Sequence, residues 1–218
     1  MSSINPHFTF EYSQPAEYHF SHDSVFLARR VFETLNPAMV PSLRGLDLCA
    51  GCGIVGLDLI YHSKKAWGVT PASFDFFEVQ EIYQPHFVEN LSRGEINAAS
   101  VHFVAENYSR LLEQKHSFVY DLIVCNPPYF RQGQGKLSPS EFKSRCRFFI
   151  DSDFTTLLLA IKASLSERGV AYVLLRDLAD HGWYPKIEAE KILGADMLVE
   201  SLEDIRGTGL ISIKRNAR

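Results

Sequence analysis

The chain has 218 residues, of which 46% are hydrophobic and 22% charged, as is typical of a globular protein with one well-packed core. Its net charge of −4 excludes a global electrostatic attraction to nucleic acid, so such binding would need a local patch. The apolar runs are too short to span a bilayer, and residues 1–7 lack the pattern of a secretory signal. Four cysteines without regular spacing indicate a reducing compartment, so we predict a cytoplasmic protein with no membrane contact.

The predicted elements alternate between helices and strands along most of the chain. A helix with Asp23 at its N-cap is predicted over 23–36, and Pro37 stands just beyond it. The strands predicted after it are 44–49, 73–78, 101–105, 120–125 and 170–176. The helices predicted between them are 53–63, 80–93 and 154–167, with Gly169 as the expected stop of the last one. Strands separated by helices predict parallel βαβ units with right-handed crossovers, and therefore an α/β fold.

The last part of the chain departs from this alternation. Segments 196–205 and 210–214 are joined by the Gly-rich turn 206–209, which predicts an antiparallel hairpin at a sheet edge. No repeat and no low-complexity linker interrupts the sequence. We therefore predict a single domain over 1–218, in which 1–40 form an N-terminal segment and helix. The oligomeric state stays open.

The first predicted strand runs into a Gly-rich turn and then a helix. Gly51 and Gly53 allow the backbone to turn tightly and to approach a ligand where a side chain would clash. The N–H groups at the start of the following helix favour an anionic group such as a carboxylate, and Asp47 could take an ammonium group. Gly51, Gly53 and Gly56 also satisfy the G-x-G-x-x-G spacing of dinucleotide sites, so the turn alone does not choose the cofactor. A purely structural turn is the alternative.

Acidic residues follow the second and third predicted strands. Glu78 stands where a carboxylate holds a ribose diol in nucleotide-binding α/β folds, although a solvated helix cap is the alternative. Glu106 could reach an adenine edge or cap the helix that starts near Tyr108. Cys49 and Cys52 form a Cys-x-x-Cys pair, but no second Cys or His pair completes a zinc set. We therefore predict no metal site.

Four residues after the fourth predicted strand, Asn126-Pro127-Pro128-Tyr129, form the most informative pattern, which we call the Asn-Pro-Pro-Tyr turn. Two consecutive prolines fix φ and remove backbone donors, so this segment cannot continue as a strand or enter a helix. It is expected to present the Asn side chain, the carbonyl of the next residue and an aromatic face. Acceptors beside a stacking ring suit a planar group that carries an NH2, such as an amide or an amino nucleobase.

One long stretch without predicted structure follows that turn, and we call residues 130–152 the basic loop. It carries Arg131, Lys136, Lys143, Arg145 and Arg147, interleaved with phenylalanines such as Phe130. Loops of this length inside a compact domain are usually functional or disordered. Cations interleaved with aromatic rings fit a phosphate backbone with stacked bases, so we predict a substrate loop, with a solvated charged surface as the alternative.

These features together resemble the class I S-adenosylmethionine-dependent methyltransferases that modify amino groups. Among these the chain most resembles bacterial N6-adenine methyltransferases of valine tRNA, which act beside the anticodon. That impression rests on the run FSHDSVFL at 20–27, and on 126–133 followed by Ser138-Pro139. The resemblance implies S-adenosyl-L-methionine as cofactor and tRNA as the partner. It also implies a Rossmann-like sheet of seven mostly parallel strands with an antiparallel last strand and helices on both faces.

The resemblance also implies roles for individual residues. The cofactor-binding residues would be Asp23, Asp47, Cys49, Ala50, Gly51, Gly53, Glu78, Glu106 and Asn126. The residues that hold the target amine would be Asn126, Pro127, Pro128 and Tyr129. The substrate contacts would be Phe130, Arg131, Lys136, Lys143, Arg145 and Arg147. Two positions depart from the pattern, because many members have Gly at the position of Cys49 and Asp at that of Glu106.

Several alternatives remain open. A protein glutamine offers the same NH2 geometry, but family members that methylate it usually carry an N-terminal helical domain, and only about forty residues precede the first strand here. Cytosine N4 or guanine N2 of RNA, and adenine of DNA, are further acceptors. Alternatives of other classes are a cofactor-binding scaffold without catalysis and a nicotinamide-dependent oxidoreductase.

Overall fold

The computed structural model describes residues 11–216, so the expectation about residues 1–7 lies outside the described part of the chain. The strands are β1 (Arg44–Leu48), β2 (Ser73–Phe77), β3 (Val101–Val104), β4 (Tyr120–Cys125), β5 (Leu165–Leu175), β6 (Met197–Ile205) and β7 (Thr208–Arg215). They form one seven-stranded sheet in the order β3-β2-β1-β4-β5-β7-β6. β1 to β5 pair in parallel, whereas β7 is antiparallel to both β5 and β6. This confirms the predicted α/β sheet with its edge hairpin.

Helices cover both faces of the sheet. They are α1 (His22–Phe32), α2 (Ile54–Trp67), α3 (Gln84–Arg93), α4 (Glu141–Arg147), α5 (Phe154–Ser164) and α6 (Pro185–Leu193). Buried residues of α1, α2 and α3 belong to one apolar cluster, and those of α5 and α6 belong to another. β4 supplies both clusters, since Leu122 and Val124 join the first while Ile123 and Cys125 join the second. A strand buried on both faces has the continuous apolar sequence seen here.

Two predicted helix boundaries are wrong. Asp23 is not an N-cap, because Ser21 takes that place and Asp23 lies in the first turn of α1. Gly169 is not a helix stop, because α5 ends at Ser164 and Gly169 lies within β5. A Cβ at Gly169 would stand 2.7 Å from the Tyr120 carbonyl oxygen, where the pairing of β4 with β5 is irregular. This glycine therefore permits a close approach of strands.

The basic loop is more regular than predicted, since it contains α4. Its two ends are held together by backbone hydrogen bonds, in which the Phe130 N–H donates to the Arg147 carbonyl at 3.0 Å and the Phe149 N–H donates to the Phe130 carbonyl at 2.8 Å. The sequence 141–147 contains no long apolar stripe, so its helix was not evident locally. Closing the loop at its base keeps it beside the Asn-Pro-Pro-Tyr turn.

The segment before α1 is fastened across α2 and α3. The Tyr12 hydroxyl donates to Asp58 Oδ1 at 2.9 Å, and the Ser13 N–H donates to Asn90 Oδ1 at 2.6 Å. The buried Asn90 side chain also donates to the Ser13 and Cys52 carbonyls at 2.9 and 3.0 Å. These contacts bring the following residues over the carboxyl ends of the strands. Within residues 11–216, no helix has the length and apolar character needed to cross a membrane.

Candidate active site

A cavity of about 370 Å³ lies where the carboxyl ends of β1, β2 and β4 meet. Ligands of open α/β sheets bind at this edge, because the loops that follow parallel strands converge there. The predicted residues that line it are Asp23, Cys49, Ala50, Gly51, Glu78, Glu106, Asn126, Pro127, Pro128, Tyr129, Phe130, Arg145 and Arg147. The predicted residues that do not line it are Asp47, Gly53, Arg131, Lys136 and Lys143.

The turn between β1 and α2 depends on left-handed backbone. Gly51 and Gly53 have φ of 54° and 86°, and Cys49 adopts 57° although it is not a glycine. A Cβ at Gly53 would stand 2.7 Å from the Phe87 ring, so packing against α3 requires this glycine. A Cβ at Gly51 would come no closer than 3.6 Å to its nearest neighbour outside the turn, and Gly51 lines the cavity. The two glycines therefore serve different purposes.

Asp47 lies beneath this turn, almost completely buried. Its Oδ2 accepts the Gly56 N–H at 2.8 Å, which fixes the first turn of α2. Its Oδ1 is buried and has no hydrogen-bond partner among the described residues. Burial raises the pKa of this carboxyl to about 8, and the nearby Glu78 adds to the rise. Both effects disfavour the ionised form of this carboxyl.

Glu78 joins the same turn to the end of β2. Its Oε2 accepts the Gly51 N–H at 2.9 Å, and its Oε1 accepts the Gln80 N–H at 2.8 Å. Burial raises the pKa of the Glu78 carboxyl, although these two hydrogen bonds oppose the rise. Because the side chain also lines the cavity, it presents an oriented carboxyl group to any ligand there.

Glu106 lines the outer part of the cavity and is about half exposed. Its Oε2 accepts from Arg110 Nε at 2.9 Å. The alternative in which Glu106 caps the following helix is wrong, because Asn107 is the cap and its side chain accepts the Ser109 N–H at 2.9 Å. Glu106 is thus left with its carboxylate at the cavity rim.

The Asn-Pro-Pro-Tyr turn presents a side-chain amide that is held at both atoms. Asn126 Nδ2 donates to Ser24 Oγ at 2.8 Å, and the Tyr129 hydroxyl donates to Asn126 Oδ1 at 2.6 Å. Burial raises the pKa of the Tyr129 phenol, so this hydroxyl keeps its proton near neutral pH. Ser24 was not among the predicted site residues, and its contact with Asn126 spans 102 positions of the chain.

The three arginines of the basic loop differ in their partners and in whether they line the cavity. Arg131 forms an ion pair with Glu188 and stands over the Trp183 ring, away from the cavity. Arg145 pairs with Asp151 at 2.8 Å. The Arg147 guanidinium lies 5.4 Å from the centre of the Phe130 ring and lines the cavity.

Several lining residues were absent from the predicted set. They are contributed by the N-terminal segment, the end of β2, α4 and the end of β5, and include Tyr18, Tyr83, Cys146 and Arg176. The Cys146 Sγ lies 3.2 Å from the Tyr83 hydroxyl, which ties α4 to the segment after β2. No motif marks these positions in the sequence. Among residues 11–216, no three His, Cys, Asp or Glu side chains are grouped to hold a metal ion.

Comparisons with known proteins agree with the predicted resemblance. No family model matches the chain. A curated relative, the tRNA1(Val) (adenine(37)-N6)-methyltransferase of Shewanella sediminis (strain HAW-EB3), is 30% identical over 132 residues, which are 60% of this chain and 50% of the relative. The chain thus spans about half the length of that relative.

Solved structures share the fold. The ribosomal protein L11 methylase of Lactobacillus delbrueckii subsp. bulgaricus aligns with a TM-score of 0.59 and 17% identity, covering 91% of this chain and 81% of that one. The structure of SMU.776 complexed with SAH aligns with a TM-score of 0.60 and 14% identity, over 89% of this chain and 50% of that one. Together with the strand order, these alignments show that the chain has the Rossmann-like class I methyltransferase fold.

Proposed function

We propose that this protein transfers a methyl group from S-adenosyl-L-methionine to an exocyclic amino group, and that the acceptor is adenine N6 of a tRNA. The observation that carries this proposal is the Asn126 amide, held by Ser24 and Tyr129 on the wall of a cavity whose other wall is the turn at Gly51. The name of the Shewanella sediminis relative supports the choice of adenine in tRNA. A tRNA substrate would place the protein in the cytoplasm.

The residues present fit the proposed cofactor. Gly51 gives it a surface free of side chain, and the Glu78 carboxyl is oriented into the cavity, where it would hold the ribose hydroxyls. Asp47 does not line the cavity, so it would act on the cofactor indirectly, through the turn of α2 that its Oδ2 holds at the Gly56 N–H. Asp23, Cys49, Ala50 and Glu106 would complete the set as predicted. When bound, the cofactor supplies an electrophilic methyl group on a sulfonium.

The Asn-Pro-Pro-Tyr turn would activate the acceptor by hydrogen bonding. The lone pair of an exocyclic amino group is delocalised into the base, which makes the nitrogen a weak nucleophile. Asn126 Oδ1 and the Pro127 carbonyl would accept its two N–H groups, localise the lone pair on nitrogen and stabilise the positive charge that develops there. No general base is needed before transfer, because the product loses its proton readily. The rest of the rate enhancement would come from alignment.

An aromatic face would hold the extruded base beside these acceptors. The Tyr129 hydroxyl is already bonded to Asn126 Oδ1, so its ring position is fixed relative to the amide. The Phe130 ring lies against Phe148, with centroids 5.3 Å apart, and lines the same cavity. A base inserted here would stack on one of these rings. We further propose that residues 1–218 act as one domain in which the basic loop contacts the substrate.

The substitution Asn126→Ala tests this function. We expect it to abolish methyl transfer into unmodified tRNA while S-adenosyl-L-methionine still binds, because Asn126 would act chiefly on the acceptor. Labelled methyl incorporation and calorimetric titration of the cofactor measure the two effects. Asn36→Ala, at an exposed position near the end of α1, is the matched control and should behave as wild type. Turnover by Asn126→Ala near the wild-type rate would refute the mechanism.

A further inference from the structure

Among residues 11–216, four carboxyl groups and three guanidinium groups line the cavity, and they differ in whether they are paired. Three of the lining carboxylates are each joined to an arginine. These pairs are Asp23 with Arg206 at 3.5 Å, Glu106 with Arg110 at 2.9 Å and Asp151 with Arg145 at 2.8 Å. The fourth, Glu78, is buried and accepts two backbone N–H groups. Each of these acidic side chains is therefore already engaged, three by a guanidinium and one by backbone donors.

Two lining arginines have no such compensation. Within residues 11–216, neither Arg147 nor Arg176 has a carboxylate within the 4.0 Å of an ion pair. Both side chains are exposed. An unpaired guanidinium keeps its five donors available for a ligand that carries negative charge. Among the described residues, the guanidinium groups of the cavity that pair with no carboxylate are therefore those of Arg147 and Arg176.

Arg176 lies on the acceptor side of the cavity. It directly follows β5, and β5 pairs with β4 in a register that joins Val173 to Cys125. Arg176 follows the end of β5 and the Asn-Pro-Pro-Tyr turn follows the end of the paired strand β4, and both line the cavity, so Arg176 emerges on the side of that turn. The Arg176 charge also acts on the Tyr129 phenol, where it opposes the larger effect of burial on the pKa.

Arg147 lies beside the aromatic surface of the same cavity. Its guanidinium is 5.4 Å from the centre of the Phe130 ring and 5.9 Å from that of Phe148. A stacked base and a neighbouring phosphate are separated by only a ribose, so a cation next to a stacking ring suits a nucleotide chain.

We propose that Arg147 and Arg176 bind the backbone phosphates on the two sides of the nucleotide whose base enters the cavity. The proposal rests on the proposed function, and it narrows the predicted substrate contacts from the whole basic loop to one of its cations plus a residue outside it. Guanidinium forks match phosphate oxygens in a bidentate manner, so these two arginines set the position of the target nucleotide. The carboxylate of the cofactor is a less suitable partner, because Arg176 emerges beside the acceptor turn.

The test measures binding of an unmodified valine tRNA transcript as a function of KCl concentration, for wild type, Arg147→Gln, Arg176→Gln and the double variant. Each substitution should reduce the slope of log affinity against log salt by about one unit, because one phosphate contact is lost. The KM for tRNA should rise roughly tenfold at low salt, as for loss of a charged hydrogen bond, while the affinity for S-adenosyl-L-methionine stays unchanged.

Arg168→Gln is the matched control. Arg168 is exposed and lies on β5, eight residues and about 25 Å before Arg176. The control substitution therefore removes the same charge at the opposite end of the sheet. The slope of log affinity for tRNA against log salt should be the same for Arg168→Gln as for wild type, because the distance from Arg168 to Arg176 exceeds the screening length.

Each other outcome overturns the proposal. An unchanged slope in the double variant would show that the arginines do not bind phosphate. A loss of cofactor affinity would assign them to the cofactor carboxylate instead. Binding of tRNA is measured without turnover. If the variants show the expected reductions in salt slope but the wild type transfers no methyl group, the proposed function alone is refuted. A wild type that does not bind tRNA would refute both.

Discussion

The two walls of the cavity are built in different ways. At the wall formed by the turn after β1, buried carboxyl groups bond to backbone: Asp47 accepts the Gly56 N–H of α2, and Glu78 accepts the Gly51 N–H of the turn. On the wall formed by the basic loop, the contacts are partly exposed ion pairs such as that of Arg145 with Asp151, and ring contacts such as that of Arg147 with Phe130. The first wall is held by buried groups bonded to backbone, whereas the second presents more exposed side chains to a substrate. Substitutions should therefore cost stability on the first wall and substrate binding on the second.

The largest effect is expected for Gly53→Ala. The residue has φ of 86°, and its Cβ would approach the Phe87 ring to 2.7 Å and Leu57 to 2.9 Å. Backbone strain and overpacking together should lower the free energy of unfolding by about 3 kcal/mol or more. Gly133→Ala is the control in the basic loop, because it has φ of 89° but nothing within 4 Å of its Cβ. Its cost should be only about 1 kcal/mol. Equal urea midpoints for the two variants would contradict the contrast between the walls.

The next effect is a dependence of stability on pH that comes from Asp47. The pKa of its carboxyl is raised to about 8 in the folded protein, well above its ordinary value. At a pH between the ordinary pKa of an aspartate and this raised pKa, the folded state keeps a proton that the unfolded state has lost. Stability should therefore fall as pH rises towards 8, by at most about 1.4 kcal/mol per pH unit for this one group.

Asp47→Asn removes this titration while keeping an acceptor for the Gly56 N–H. Urea unfolding from pH 5 to pH 8 should show a flatter stability profile for the variant than for wild type. The residual slope should reflect Glu78, whose pKa burial also raises. Parallel profiles would show that Asp47 does not titrate in this range.

A smaller effect, on activity alone, is expected for Tyr129→Phe. The substitution keeps the ring but removes the hydroxyl that donates to Asn126 Oδ1 at 2.6 Å. Without this partner the amide loses part of its orientation, and kcat should fall about tenfold, which corresponds to one hydrogen bond of roughly 1.4 kcal/mol. Thermal unfolding should change little, because the phenol lies at the cavity wall. An unchanged kcat would show that Ser24 alone positions the amide.

The smallest effect is expected for Arg131→Gln in the basic loop. Its ion pair with Glu188 is partly exposed, and such pairs contribute less than about 1 kcal/mol to stability. The residue does not line the cavity, so the KM for tRNA should stay within about twofold of wild type. A rise as large as that of Arg147→Gln would mean that Arg131 also contacts the substrate, although it does not line the cavity.

Patterns local in the chain predicted much of this molecule. The parallel strands, the edge hairpin, the turn at Gly51 and the Asn-Pro-Pro-Tyr turn were all evident, because apolar runs, glycines and prolines act on their immediate neighbours. Ser24 was missed because its contact with Asn126 forms only after α1 packs against the sheet. Arg176 was missed because nothing in the sequence around it shows that β5 ends beside β4.

Contacts between distant elements also explain why some residues predicted for the site do not line the cavity. Charge in the sequence does not show which cations are neutralised, and the partner of Arg131 lies 57 positions away. Gly53 was expected to give a ligand room, whereas the Phe87 ring in α3 is what requires it. The ion pair of Arg131 and the requirement for glycine at position 53 both depend on packing between elements that are far apart in the chain.

The central claim is that the cavity joins a sulfonium cofactor to an amino group of a tRNA base. The most direct measurement incubates the protein with methyl-labelled S-adenosyl-L-methionine and total RNA, total DNA or total protein from cells that lack it, followed by nucleoside analysis. Label should appear in tRNA as N6-methyladenine and should be absent with Asn126→Ala. Label in protein alone, or in none of the three, would contradict the account.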